Sequence, residues 1–309
     1  MGLATGFWTL SGLLVALGFA EGFNSPALLR TVTDWLSPKW RARAVSLSLL
    51  GVPVASLIGA PFLTSLIEKV GWRGMFMIVG TLGIVWAIFW FWFFRNKKSP
   101  PYPTPRGIAT PWKELFTHRG FRANAFSFFT FGYIVFFVII WLPGYFQQTY
   151  GIAIRHTGFL VMIPWLVAAI LQTFGGWLID EIYKRTESVR KSRVYPLCIG
   201  LLVASISFGL LAFSSTLHTS VALMSLGLGF TFLINPAIYA LNADIFPGNV
   251  ATAQGVSTSC FALAGIISPS LTGWITQTTG SYESAIIFIA ILPLLASINA
   301  FLFCYRKRA

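Results

Sequence analysis

Charge is scarce in this chain. Only 10% of its 309 residues are Asp, Glu, Lys or Arg, and nine of those are acidic. That is too little to cover a soluble domain, and nothing in the chain reads as one. Cysteine is nearly absent. Cys198, Cys260 and Cys304 all fall in apolar stretches, without metal-ligand spacing and without the even number a disulfide framework requires. They read as small buried apolar residues. The three histidines, His118, His156 and His218, sit at the ends of apolar stretches. No Gly-x-x-x-x-Gly-Lys loop is present, which argues against an ATP-driven pump. No nucleophile elbow, metal cluster or Cys/His constellation is present either, which argues against a membrane enzyme. No cofactor or metal is expected. The first apolar stretch is too long for a cleavable signal peptide and lacks a basic leader.

What the chain has is apolar length. Hydrophobic residues make up 56% of it, and its mean hydropathy is +0.73. A spanning helix needs about 20 mostly apolar residues. Nine segments qualify, roughly at 7–33, 44–67, 73–94, 123–147, 157–180, 194–214, 217–242, 252–277 and 283–305. The expected fold class is all-α, a polytopic membrane helix bundle. The 22 Lys and Arg residues give a net charge of +13. When the connections are assigned alternately to two sides, one side receives all of them except Lys69, Arg73 and Arg155. Cytoplasmic loops carry such an excess, so the C-terminus is expected inside. The positive-inside rule also explains the basic balance without nucleic acid, and no nucleic-acid partner is expected.

The two ends of the chain resemble each other. Pro26-Ala27 matches Pro236-Ala237, and Asp34-Trp35-Leu36 matches Asp244-Ile245-Phe246. Val45-Ser46 followed by Ser48 matches Val256-Ser257 followed by Ser259. Pro61, Leu63-Thr64 and Ile67 match Pro269, Leu271-Thr272 and Ile275, and the pair closes at Gly71 and Gly280. Repeated halves of this kind occur in transporters. Between the repeats lies a Pro-rich, basic stretch at 95–122, with a short amphipathic piece near Trp112–Phe116.

These features resemble the major facilitator superfamily. Gly176, Leu178 and Asp180, followed by Lys184 and Arg185, resemble its Gly-x-Leu-x-Asp-basic loop signature. Within the superfamily the chain looks most like the anion:cation symporters. Gly18-Phe19-Ala20-Glu21-Gly22-Phe23-Asn24-Ser25-Pro26-Ala27, Arg41-Ala42-Arg43-Ala44-Val45-Ser46, Gly51-Val52-Pro53, Gly71-Trp72-Arg73, Trp141-Leu142-Pro143 and Pro164-Trp165 carry the likeness. The resemblance implies a partial N-terminal half at 1–94 (helices 4–6 of twelve), a cytoplasmic central loop at 95–122, and a complete C-terminal half at 123–309 (helices 7–12). Helices one to three have no counterpart here; the expectation is a start upstream or a truncated gene.

Glu21 is the sharpest candidate for chemistry. It lies 14 residues into an apolar helix, about 21 Å along it. An acid at that depth is by default a functional hypothesis. A desolvated carboxyl holds its proton and releases it when wetted. In the resembling family the acid at this position is implicated in proton coupling; the competing reading is a structural carboxyl bonded to Ser25 or a neighbouring helix. Family members often place an Arg seven residues earlier, where this chain has Leu14. No Lys or Arg lies deep in a helix, so no fixed cation for a carboxylate substrate is evident.

For the substrate cavity, Thr231, Asn235, Tyr239 and Asn242 recur at one helical face, and Pro236 frees a backbone carbonyl beside Asn235. Substrate binding and interhelical bonding are both open for Asn235 and Tyr239, while Asn242 reads as structural. Thr130 and Tyr133, three residues apart, can face a cavity together; Gln172 and Ser257 complete the candidates. Gly176, Asp180 and Arg185 are gate elements by resemblance, with a solvated loop pair as the alternative.

The expected function is secondary transport: proton-coupled symport of a small organic anion by alternating access, in the inner (plasma) membrane. Its partners are a small-molecule substrate, protons and membrane lipid, and the chain is expected as a monomer. Two other readings stay open: a non-transporting membrane fragment, and a carrier of an amino acid or neutral metabolite.

Overall fold

The computed structural model describes residues 1–94, 112–152 and 154–304. Most of the central loop, to residue 111, and the basic residues after Cys304 lie outside the described residues. Among the described residues every regular element is helical, and nine helical stretches are long and apolar enough to cross a membrane. The expected class, an all-α polytopic bundle, is the observed one.

The first span is broken into α1 (Phe7–Glu21) and α2 (Asn24–Trp35). Next come α3 (Arg41–Leu49) and α4 (Gly51–Phe93). A short α5 (Trp112–Thr117) precedes α6 (Arg119–Tyr150) and α7 (Ile154–Thr186). A π-turn, Arg190–Val194, leads into α8 (Tyr195–Ala212). The chain ends with α9 (Leu217–Leu233), α10 (Asn235–Ile245), α11 (Val250–Thr279) and α12 (Tyr282–Phe303).

Local chemistry sets the breaks. Proline has no N–H, so Pro26 and Pro236 cannot serve the carbonyls four residues back. In both copies of the repeat the span divides just before that proline, at Asn24 and at Asn235. Gly71 (φ 72°) interrupts α4, and Gly280 (φ 69°) separates α11 from α12. Both hold a left-handed conformation in which a side chain is strained. The repeated residues thus coincide with matching breaks in the backbone.

The core belongs to the second part of the chain. There α6 packs against α11 and α12, α7 against α9, and α8 against α9 and α12. Gly132 lets Phe261 approach α6, and Gly265 lets Phe136 approach α11. Such small-residue contacts replace the missing hydrophobic drive between helices in lipid. Phe128, Phe131, Phe137, Trp165, Phe208 and Phe232 fill the interior. The first part is different. No residue of α1 is buried, and the span Ser65–Phe93 is unburied within the chain. The first part packs on the second chiefly through α2, α3 and α4, against α7, α10 and α11.

Candidate functional site

The polar side chains of interest lie where α2 and α3 meet α7, α10 and α11. On α7, Gln172, Gly176 and Asp180 recur every four residues and so share one face. That face docks on α3. Gln172 donates from Nε2 to the Ser46 carbonyl (3.0 Å). Gly176 lies against Ser46 and Ala42, where a Cβ would stand 2.8 Å from the Ala42 carbonyl oxygen. Asp180 accepts from the backbone N–H groups of Ala42 (3.2 Å) and Arg43 (2.8 Å). These are the second and third residues of α3, whose own N-cap, Trp40, supplies no side-chain bond. Asp180 therefore caps α3 from another helix, with its charge at the positive end of the α3 dipole.

Behind it sits Arg193, fully buried. One terminal nitrogen lies 3.4 Å from Asp180 Oδ1 and also donates to the Ile179 carbonyl. The other donates to the Pro38 carbonyl (3.0 Å), and Nε lies 3.6 Å from Asp244 Oδ2. One guanidinium thus ties α7, α10 and the connection before α3. Arg193 stands at a helix end, in the π-turn before α8, rather than deep within a helix, yet it is fully buried. It does not supply a free cation for a substrate, because two carboxylates already face it.

Around this core are more exposed pairs. Glu181 accepts from Arg43 (3.3 Å) and from Arg185 (3.0 Å). Arg185 is therefore paired with Glu181, not with Asp180, and its side chain is 76% exposed. Lys39 bridges to Glu187 across the two parts (2.9 Å). Glu187 holds the Lys39 ammonium above its ordinary 10.5, and Lys39 holds the Glu187 carboxyl below its ordinary 4.5. The bridge is thus lost as pH rises through the Lys39 value or falls through the Glu187 value, and it is constant between them. Lys39→Ala is expected to leave the pH dependence of the unfolding midpoint between those limits unchanged, as thermal melts in detergent will check.

Further along the interface, Ser25 of α2 and Tyr239 of α10 share a hydroxyl hydrogen bond (3.0 Å). Tyr239 also packs edge-on against Phe128. Asn235, one turn earlier, is buried, and among the described residues its Oδ1, like the buried Thr130 Oγ1 and Gln172 Oε1, has no hydrogen-bond partner. Thr231 bonds back to the Gly227 carbonyl (2.7 Å). Ser257 accepts from Asn242 (3.0 Å), which also donates to Gln254 and accepts from Asn124. This amide chain ties α6, α10 and α11.

Two candidates lie apart. Tyr133 is buried against α11 and α12, bonded to Thr272 (3.3 Å), with its ring tilted against that of Phe288. It does not share a partner with Thr130. Glu21 ends α1 on an exposed surface, and among the described residues it has no hydrogen-bond or ion-pair partner. The Ser25 hydroxyl is taken by Tyr239 instead. The sequence reading assigns no role to Arg193 or Asn124, and names Ser25 only as a possible partner of Glu21. Arg193 closes a basic run that reads as loop charge, and only its adjacency to the apolar start of α8 hints otherwise. Among the described residues no cluster of three or more His, Cys, Asp or Glu side chains suits a metal ion.

A Cβ on Gly176 has nowhere to go without separating α3 from α7. Gly176→Ala is expected to cost about 1–3 kcal/mol, as overpacking does, read as a lower thermal unfolding midpoint in detergent.

The family model described as Major Facilitator Superfamily matches residues 1–234 and 191–309. A hexuronate transporter of Bacillus subtilis is 28% identical over 307 residues, covering 96% of this chain and 73% of the relative. A probable sulfoacetate transporter of Cupriavidus necator is 27% identical over 299 residues, covering 91% and 69%. Among solved structures, the fucose:proton symporter FucP of Escherichia coli superposes with a TM-score of 0.71 at 14% identity, covering 94% of this chain and 74% of that one.

Proposed function

Because the chain belongs to the Major Facilitator Superfamily, a family of multi-pass membrane transporters, we propose that it works as a secondary carrier, moving a small organic anion together with protons by alternating access. The observation that carries this reading is the capping of α3 by Asp180. It is a polar, reversible seal between the two parts of the chain at the basic end, next to the close contact that Gly176 permits. Opening that end exchanges a few hydrogen bonds and ion pairs for water, which is inexpensive compared with parting an apolar core. The positive-inside rule supports a cytoplasmic position for this end, with the C-terminus on the same side, and the bacterial relatives support a plasma membrane.

The anion reading draws support from the relatives, one named for hexuronate and one for sulfoacetate, both small organic acids. Tyr239 and Asn235, one turn apart on α10, with Thr231 a turn before, are the donors proposed to meet the substrate. Ser25 would release Tyr239 as the two parts separate. Glu21 is the proposed proton carrier. Residues 1–94 and 123–309 are the two moving bodies.

The test is counterflow in proteoliposomes preloaded with glucuronate, sulfoacetate, a neutral hexose or a neutral amino acid. Exchange restricted to the acids is the expected result. Exchange of the hexose or amino acid alone overturns the anion reading, and no exchange of any compound overturns transport by this chain.

A further inference from the structure

The π-turn at Arg190–Val194 divides one basic run between two tasks. Ser192 and Arg193 turn inward and are buried. Arg190 and Lys191 turn outward and are exposed. At this end of the bundle Arg185 and Arg43 are matched by Glu181, and Lys39 by Glu187. Arg190 and Lys191 have no carboxylate within ion-pair range among the described residues.

Arg190 is nevertheless placed. Its guanidinium sits over the rings of Tyr195 (5.7 Å) and Phe301 (5.9 Å), at the seam between α8 and α12. Both rings are exposed on the periphery of the bundle, and Ile199, Ile298 and Leu302 continue the exposed apolar surface along that seam. On the other side of the α12 terminus, Gly120 lies against the Phe303 and Cys304 carbonyls, and the exposed Arg119 and Arg122, which have no acidic partner among the described residues, extend the same cationic arc.

An unmatched cation pair, with Arg190 held over two rings, at the end of an exposed apolar seam calls for an anion that carries its own hydrocarbon. We propose that the α8–α12 seam is a binding site for an anionic phospholipid. Arg190 and Lys191 hold the phosphodiester, Tyr195 and Phe301 border the headgroup, and the acyl chains lie along Ile199 and Ile298. A free phosphate meets the cations but gains nothing from the apolar seam. A zwitterionic lipid has the chains, but its own ammonium competes for the phosphate. Basic pockets between spanning helices at the anionic leaflet act in this way.

The purified full chain in detergent is titrated with phosphatidylglycerol and with phosphatidylcholine, and bound lipid is counted by native mass spectrometry. Phosphatidylglycerol is expected to bind the wild type preferentially. In the Arg190→Ala/Lys191→Ala variant its affinity is expected to fall about fivefold per cation, near 25-fold for the pair. The Lys39→Ala/Arg185→Ala variant loses the same charge from acid-paired positions and is expected to bind as the wild type does. Millimolar inorganic phosphate is expected not to displace the lipid. Unchanged affinity in the first variant overturns the site. Equal loss in both variants assigns the binding to diffuse charge and overturns it too, and full displacement by phosphate overturns the lipid assignment. If the alanine variant elutes as aggregate, Arg190→Gln/Lys191→Gln is measured in its place and judged by the same outcomes.

Discussion

Replacing Arg193 by Met is expected to destabilise the chain by about 3–5 kcal/mol, the range found when one member of a buried ion pair is removed. The side chain is fully buried, and Met leaves Asp180 and Asp244 with no cation between them. The loss is expected in the thermal unfolding midpoint of the detergent-solubilised chain. Arg193→Met combined with Asp180→Asn and Asp244→Asn removes all three charges while leaving an amide to cap α3, and is expected to recover most of the loss. Arg193→Met also unties the Pro38 carbonyl from α7 and α10. The seal at the basic end should then open more often. Ser46, 1% exposed, reports this. In a background without Cys198, Cys260 and Cys304, Ser46→Cys is expected to react faster with an aqueous thiol reagent when Arg193 is Met. A variant that melts with the wild type and leaves Ser46→Cys unreactive would remove the buried guanidinium from any part in closing this end.

Glu21→Gln is expected to abolish proton-driven accumulation while leaving counterflow near the wild-type rate. An inward gradient of one pH unit stores about 1.4 kcal/mol per proton, enough for about tenfold accumulation of a co-transported solute. With Gln at position 21 the ratio is expected to fall to one. The structure makes this a clean substitution. Glu21 is exposed and has no bonded partner among the described residues, so an amide there removes no contact and the unfolding midpoint should not move. Undiminished accumulation by the variant moves proton coupling to another residue. Loss of counterflow as well assigns Glu21 to binding rather than coupling.

The polar seal and the two unpaired outward cations come from neighbouring stretches of one connection. Within 14 residues the chain passes from Asp180, which caps a helix more than a hundred residues away in sequence, to Arg193, which supports that cap. Arg190 and Lys191, three and two residues before Arg193, face outward. A regular helix would carry Arg190 and Arg193 on neighbouring faces; the wider π-turn is what separates them.

Much of this was legible in the residues alone. The membrane class follows from apolar length, because a bilayer core about 30 Å thick admits no shorter uninterrupted helix. Charge scarcity follows from the cost of charge in hydrocarbon, and the falling of 19 of 22 cations in alternate connections of the sequence follows the positive-inside bias. The repeat and its breaks follow from Pro26, Pro236, Gly71 and Gly280, whose backbone limits act wherever they occur. The pairings were not legible. Tyr133 and Tyr239 are both buried tyrosines on apolar helices, yet one bonds Thr272 within the second part and the other bonds Ser25 across the interface. Arg190 and Arg193 belong to one basic run, yet one faces outward and the other joins two carboxylates. Hydropathy and backbone limits are local and survive in the linear chain. A side chain's partner depends on which distant helix is packed against it, and only the folded bundle decides that.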